Sequence, residues 1–219
     1  NELIDVLKTR PDLHAVLVPW GGGGLATTRV MLYRNYGDPQ GDFHDRQRDF
    51  EIRLRMERAN GDAGNQTIWV GPRVPDSPPG KPKPLEVDVL DAMTPWLDAI
   101  AADPAPRTHA KIVRHRPAAA VDAWFDADGR KHAEPATLAP DSAYNRAYPV
   151  HGNPRIAAGG PQTNDVLKCR LKRIAMRDYK VRFTADQEKK LRAIFPAGVC
   201  DFGKKGVGQV RATGTFVRY

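Results

Sequence analysis

Two short runs of sheet-forming residues, 29–36 (RVMLYRNY) and 66–70 (QTIWV), flank one amphipathic stretch that ends near Ala59. Val30, Leu32 and Tyr33 favour a pleated surface in the first run. Between the runs, Phe43, Phe50 and Leu54, with the stem of Gln47, recur at helical spacing, which predicts one buried helix face. Asn60-Gly61 ends that helix, because glycine accepts the left-handed backbone a helix terminus needs. Parallel strands cannot be joined by a tight turn and need a crossover, usually helical. Strand, helix and strand within about 40 residues therefore predict an α/β fold with a parallel sheet.

Open α/β sheets place their chemistry beyond the carboxyl ends of their strands. The turn there reads Gly37-Asp38-Pro39-Gln40-Gly41, and Asp42 and His44 follow. Two carboxylates and an imidazole thus lie within one short loop. Asp42 also sits where a helix N-cap is expected, and Asp45 where acidic charge favours the helix dipole. Arg46, Arg48, Arg53 and Arg55 alternate with Asp49, Glu51 and Glu57, the pattern of a solvated, mutually paired face.

Elsewhere the pattern predicts a short helix at 2–8, a strand or helix end at 13–18, and a loop at Gly21–Gly24. Residues 71–84 hold six prolines and read as a linker or extended loop. A second amphipathic helix is expected over about 86–102, with Val89, Met93, Leu97 and Ile100 on one face. Residues 103–165 read as irregular. Thr184-Ala185-Asp186-Gln187 is a capping box that opens a helix burying Leu191 and Ile194 and ending at Phe195-Pro196. Residues 213–219 alternate like an edge strand. These elements divide the chain into 1–102, holding the sheet, and a loop-rich region, 103–219.

The net charge is +8 and the pI about 9.6. The basic residues are dispersed, and no RNA-recognition, zinc-finger or homeodomain signature accompanies them, so nucleic-acid binding is not expected. No apolar run is long enough to span a membrane. The two cysteines, Cys169 and Cys200, lie in no zinc-site spacing. They are either two free thiols or one disulfide closing a loop of about 30 residues, which would stabilise the fold by about 3–4 kcal/mol and imply an oxidising compartment. No cofactor is expected. A metal held by Asp38, Asp42 and His44 has no second ligand cluster to support it. His109, His115, His132 and His151 stand isolated in polar or proline-rich sequence and read as surface residues.

Several strings carry a resemblance: GGGGLATT at 21–28, GDFH at 41–44, NQTIWV at 65–70, NPRIAAGGPQTNDVLKC at 153–169 and FPAGVCDFGKKGVGQ at 195–209. Together they resemble the C-terminal half of a bacterial family of exported α/β-hydrolase-like proteins, a domain of unknown function similar in design to tannases and feruloyl esterases. The resemblance covers nearly the whole chain in order. It implies an α/β-hydrolase-like sheet, a Cys169–Cys200 pair and an extracytoplasmic location. It also implies a serine elbow upstream of these residues, in an N-terminal segment or chain of the same protein. A second cysteine pair common in the family, near Ala123-Trp124 and Ala143-Tyr144, is missing from both places, leaving 120–148 without that staple.

The expected function is therefore the C-terminal part of an exported serine hydrolase that cleaves an ester or related acyl bond. A serine outside the chain attacks, His44 is the general base, and Asp38 or Asp42 holds the imidazole. The alternative is a binding or assembly module, without chemistry, for an acidic polymer or a protein partner.

Overall fold

The computed structural model describes residues 25–41, 43–73, 84–179 and 181–210. The expectations for residues 1–24, 74–83 and 211–219 lie outside these, as does Asp42. The described residues form two compact units, one within 25–153 and one within 154–210.

The first unit is built on a four-stranded sheet in sequence order: β1 (Val30–Asn35), β2 (Gln66–Gly71), β3 (Ala123–Phe125) and β4 (Lys131–Ala133). β1 and β2 run parallel with Val30 opposite Gln66 and Asn35 opposite Gly71, as the strand–helix–strand pattern predicts. β3 extends the sheet in parallel, with Trp69 opposite Ala123, and β4 returns antiparallel. All six residues of β2 are buried, as expected of a parallel strand covered on both faces.

Alternation along β2 sends Trp69 to one face, where it packs on Leu85, Val89, Ala92, Ala123 and Phe125. Ile68 and Val70 point to the other and pack on Tyr144 and Tyr148. Helix α1 (Gln47–Asn60) makes the first crossover. Helices α2 (Pro84–Ala102) and α3 (His109–Arg114) lie in the second. Trp96 of α2 is fully buried with Ile100, Ile112 and Ala120, and its indole N–H donates to the Ile112 carbonyl at 2.8 Å.

Residues 103–165 are more ordered than their sequence predicts. Besides α3, β3 and β4 they contain α4 (Ala143–Ala147) and α5 (Pro154–Ala157). Three-residue strands show no readable period; long-range bonds hold them instead. The Asp122 carboxylate accepts from the Ile68 and Ala136 amides at 2.9 and 3.0 Å, tying the approach to β3 to its neighbours. These polar ties cross the stretch that lacks the second cysteine pair.

Helix α1 departs from expectation at both its start and its face. It begins at Gln47 with Arg46 at the N-cap position and no side-chain cap; one residue earlier, the Asp45 carboxylate accepts from the Arg48 amide at 3.3 Å. Phe43 precedes the helix and is 77% exposed. Arg46, Asp49 and Glu51, expected on a solvated face, are buried. Arg46 and Asp49 are held there by partners remote in sequence, which helical periodicity does not report, whereas Glu51 keeps the pairing expected along the helix, with Arg48 at 3.1 Å and Arg55 at 3.8 Å.

In the second unit, β5 (Arg170–Lys172) pairs antiparallel with β6 (Val199–Asp201), and Cys169 and Cys200 form the disulfide. Helix α6 (Ala185–Ile194) opens with the expected capping box: the Thr184 hydroxyl accepts from the Gln187 amide at 3.2 Å, and the Gln187 side chain accepts from the Thr184 amide at 2.9 Å. It buries none of its residues, and Ile194 is exposed, contrary to the apolar face expected. One turn of spacing gives Leu191 and Ile194 a common side, but only Leu191 is partly covered.

Candidate active site at the carboxyl edge of the sheet

Asp38 lies just beyond β1, in a 3-10 turn, Asp38–Gln40, where Pro39 presets the backbone and Gly41 closes the turn at φ +71°. Its side chain is buried. Both carboxylate oxygens accept from the Arg46 amide, at 3.1 and 3.2 Å, and the nearby His151 backbone also favours the charged carboxylate. Burial pushes the Asp38 carboxyl above its ordinary range, and these backbone groups offset only part of that rise.

His44 is exposed on the same loop, six positions further on. Its carbonyl accepts from Arg34 of β1, and the Phe43 ring packs on its imidazole with centroids 3.8 Å apart. Arg34 also grips Asp49 of α1, Nε donating to Oδ2 at 2.8 Å and Nη2 to Oδ1. β1 and α1 thereby clamp the loop between them. Burial raises the Asp49 carboxyl, and Arg34 pulls against that rise.

Beside this clamp, Arg46 is fully buried between two rings, its guanidinium 5.6 Å from the Phe50 centroid and 4.5 Å from that of Tyr144. Nη1 donates to Asn145 Oδ1 at 3.0 Å and to the Tyr148 carbonyl, while Nε and Nη2 have no hydrogen-bond partner among the described residues. Desolvation lowers the Arg46 pKa.

A segment after α4 then crosses the carboxyl edge of the strands. The Tyr148 hydroxyl donates to the Phe125 carbonyl at the end of β3, the Tyr36 hydroxyl donates to the Pro149 carbonyl at 2.8 Å, and the His151 backbone comes near Asp38. Sequence reasoning leaves His151 on the surface. It is exposed, but its backbone lies near Asp38 although 113 positions separate them in sequence, which no local signal reports.

Three other histidines, also expected to stand alone, face carboxylates at 2.8 Å: His109 with Asp62, His115 with Asp103 and His132 with Asp126. His132 additionally stacks on Trp124 at 4.0 Å. Asp126 also accepts from the Asp128 and Arg130 amides, so this pair organises the β3–β4 turn. Among the described residues no group of three or more His, Cys, Asp or Glu side chains could hold a metal ion.

The model of a tannase-like family of unknown function (DUF6351) matches residues 14–211. The chain belongs to this family. No curated protein and no solved structure matches it. Family membership agrees with the resemblance read from the sequence, and the disulfide agrees with the pairing that resemblance implies. Among the described residues no helix is long and apolar enough to cross a membrane.

Proposed function

We propose that this chain supplies the acid–base half of an α/β-hydrolase-type esterase that works outside the cytoplasm. The observation that carries the reading is the position of Asp38: a buried carboxylate just past a parallel strand, on one loop with an exposed imidazole. Membership of a tannase-like family points to the same bond class, and a disulfide fits an oxidising compartment.

In this reading His44 takes the proton of a serine hydroxyl as its oxygen attacks the ester carbonyl. The imidazolium then returns that proton to the departing alcohol. Water, deprotonated by the same imidazole, hydrolyses the acyl-enzyme and restores the serine. Asp38 stabilises the imidazolium and holds it in place; Asp42 is the alternative acid. The chain contains two serines, Ser77 and Ser142. The Ser142 hydroxyl caps α4 by accepting from the Asn145 amide at 3.1 Å. As the resemblance to the family implies, the nucleophile in this reading is a serine of an N-terminal segment or chain of the same protein.

A second reading keeps Asp38 and transfers the base to His151, because the backbone of that residue lies near the same carboxylate. The test is hydrolysis of p-nitrophenyl acetate and labelling by a fluorophosphonate probe, using the protein purified from its native source. His44→Ala is expected to lower kcat by about 10³-fold or more, with unchanged melting. Loss in His151→Ala with wild-type rates in His44→Ala would move the base to His151. Wild-type rates in His44→Ala, His151→Ala and Asp38→Asn would reject the site.

A further inference from the structure

The net charge of the chain is not evenly distributed. Residues 154–210 contain 13 Lys and Arg against five Asp and Glu, an excess of eight. The remaining residues carry 21 of each sign and sum to zero. The whole formal charge of the protein thus resides in the disulfide-stapled unit.

Much of this basic charge is uncompensated. Lys172 pairs with Asp178, Arg192 with Glu188 and Lys204 with Asp201. Lys168 and Lys205 are exposed and have no acidic partner among the described residues. The same unit also exposes Leu167, Leu171, Val181, Ile194, Phe195, Val207 and Val210, seven of the 11 exposed large hydrophobic residues described.

At one place the two kinds of side chain are brought together. The Val207 amide donates to the Lys168 carbonyl at 2.7 Å, and the Gln209 side-chain amide donates to the Asp165 carbonyl at 3.3 Å. These bonds hold the stretch before the disulfide against the Lys204–Val210 loop. Gly206 is buried in that junction, where a Cβ would stand 3.0 Å from the Lys168 carbonyl. Leu167, Lys168, Lys205 and Val207 are exposed on the two tied segments, and Val210, 74% exposed, ends the loop.

We infer that this junction docks the protein peripherally on an anionic lipid surface. Unpaired lysines supply attraction to acidic headgroups, and Leu167, Val207 and Val210 gain by leaving water at the headgroup boundary. Charge alone would serve a soluble polyanion equally well. The adjoining aliphatic side chains distinguish the lipid surface, since a carbohydrate or phosphate chain gives them nothing apolar to enter.

The test is co-sedimentation of the whole chain with phosphatidylglycerol-containing vesicles, against pure phosphatidylcholine vesicles, in 50 and 500 mM salt. Binding is expected to the anionic vesicles alone and to fall at the higher salt. Lys168→Gln with Lys205→Gln should weaken partitioning about 25-fold, at about fivefold per lysine. Val207→Ser with Val210→Ser should weaken it while leaving its salt dependence in place. Circular dichroism and an intact disulfide verify that each variant is folded. Equal binding to both vesicle types, unchanged binding in both double variants, or capture by polygalacturonate or DNA without capture by vesicles would each overturn the inference.

Discussion

Arg53 grips Asp122 with both terminal nitrogens, Nη1 on Oδ2 at 2.7 Å and Nη2 on Oδ1 at 2.8 Å, across 69 positions of sequence. The same guanidinium donates through Nε to Gln66 at 2.8 Å, and the same carboxylate accepts the Ile68 and Ala136 amides. One ion pair thus joins α1, β2 and the start of β3, and both side chains are nearly buried.

Removing one partner leaves the other charge poorly solvated. Asp122→Asn and Arg53→Met are each expected to cost about 3 kcal/mol, read as a lower urea midpoint with unchanged m-value. The double variant should lose less than the sum. Burial raises the Asp122 carboxyl, but Arg53 and the two amides outweigh it, so its folded pKa lies below the ordinary value. Its contribution is present above the unfolded pKa of about 3.9 and is lost as pH falls through the lowered folded value. Wild type should therefore lose more stability than Asp122→Asn in acid denaturation below about pH 4.

His109 behaves in the opposite sense. Its Nδ1 lies 2.8 Å from the Ala26 carbonyl and its Nε2 2.8 Å from Asp62 Oδ1, so both ring nitrogens face acceptors and the imidazolium satisfies both. Desolvation lowers the His109 pKa, but these two acceptors outweigh it and hold it above its ordinary value. The stabilisation is present below about pH 6.5 and is lost as pH rises through the raised folded pKa. Amide exchange at 25–28 should quicken over that rise in wild type and show no such step in His109→Gln. An NMR titration midpoint of His109 below about 6.5 would contradict the assignment.

The unit within 154–210 depends on its cross-link, because Ile174 is its one buried large hydrophobic residue among those described. Reduction of Cys169–Cys200 is expected to cost about 3–4 kcal/mol and to open 154–210 to proteolysis ahead of 25–153. Gly198 sits at φ +100° where a Cβ would collide with the Lys172 carbonyl, so Gly198→Ala should part β5 from β6 and produce the same cleavage pattern. Fragment masses from limited proteolysis, with and without reductant, check both.

Helix α6 buries nothing, so its start rests on the Thr184 cap. Thr184→Ala should cost about 1 kcal/mol, with fraying detectable as faster amide exchange in the first turn. Thr184→Ser should retain most of the cap.

Short-range physics made β1, α1, β2, α2 and the α6 cap legible in the sequence. Sheet propensity, helical spacing, Asn60-Gly61 and Thr184–Gln187 each act within a few residues. The carboxyl-edge loop with Asp38 and His44 followed from the order of those elements, and Cys169–Cys200 from resemblance to the family. Tertiary structure decided where charge is buried. Arg46 and Asp49 look like part of a solvated helix face until Arg34, Tyr144 and Asn145, brought in from elsewhere, supply their partners. It also decided β3 and β4, too short to show a period, and the approach of His151 to Asp38. A buried charge is tolerated only where remote groups compensate it, so the residues that make it possible are neighbours in space alone.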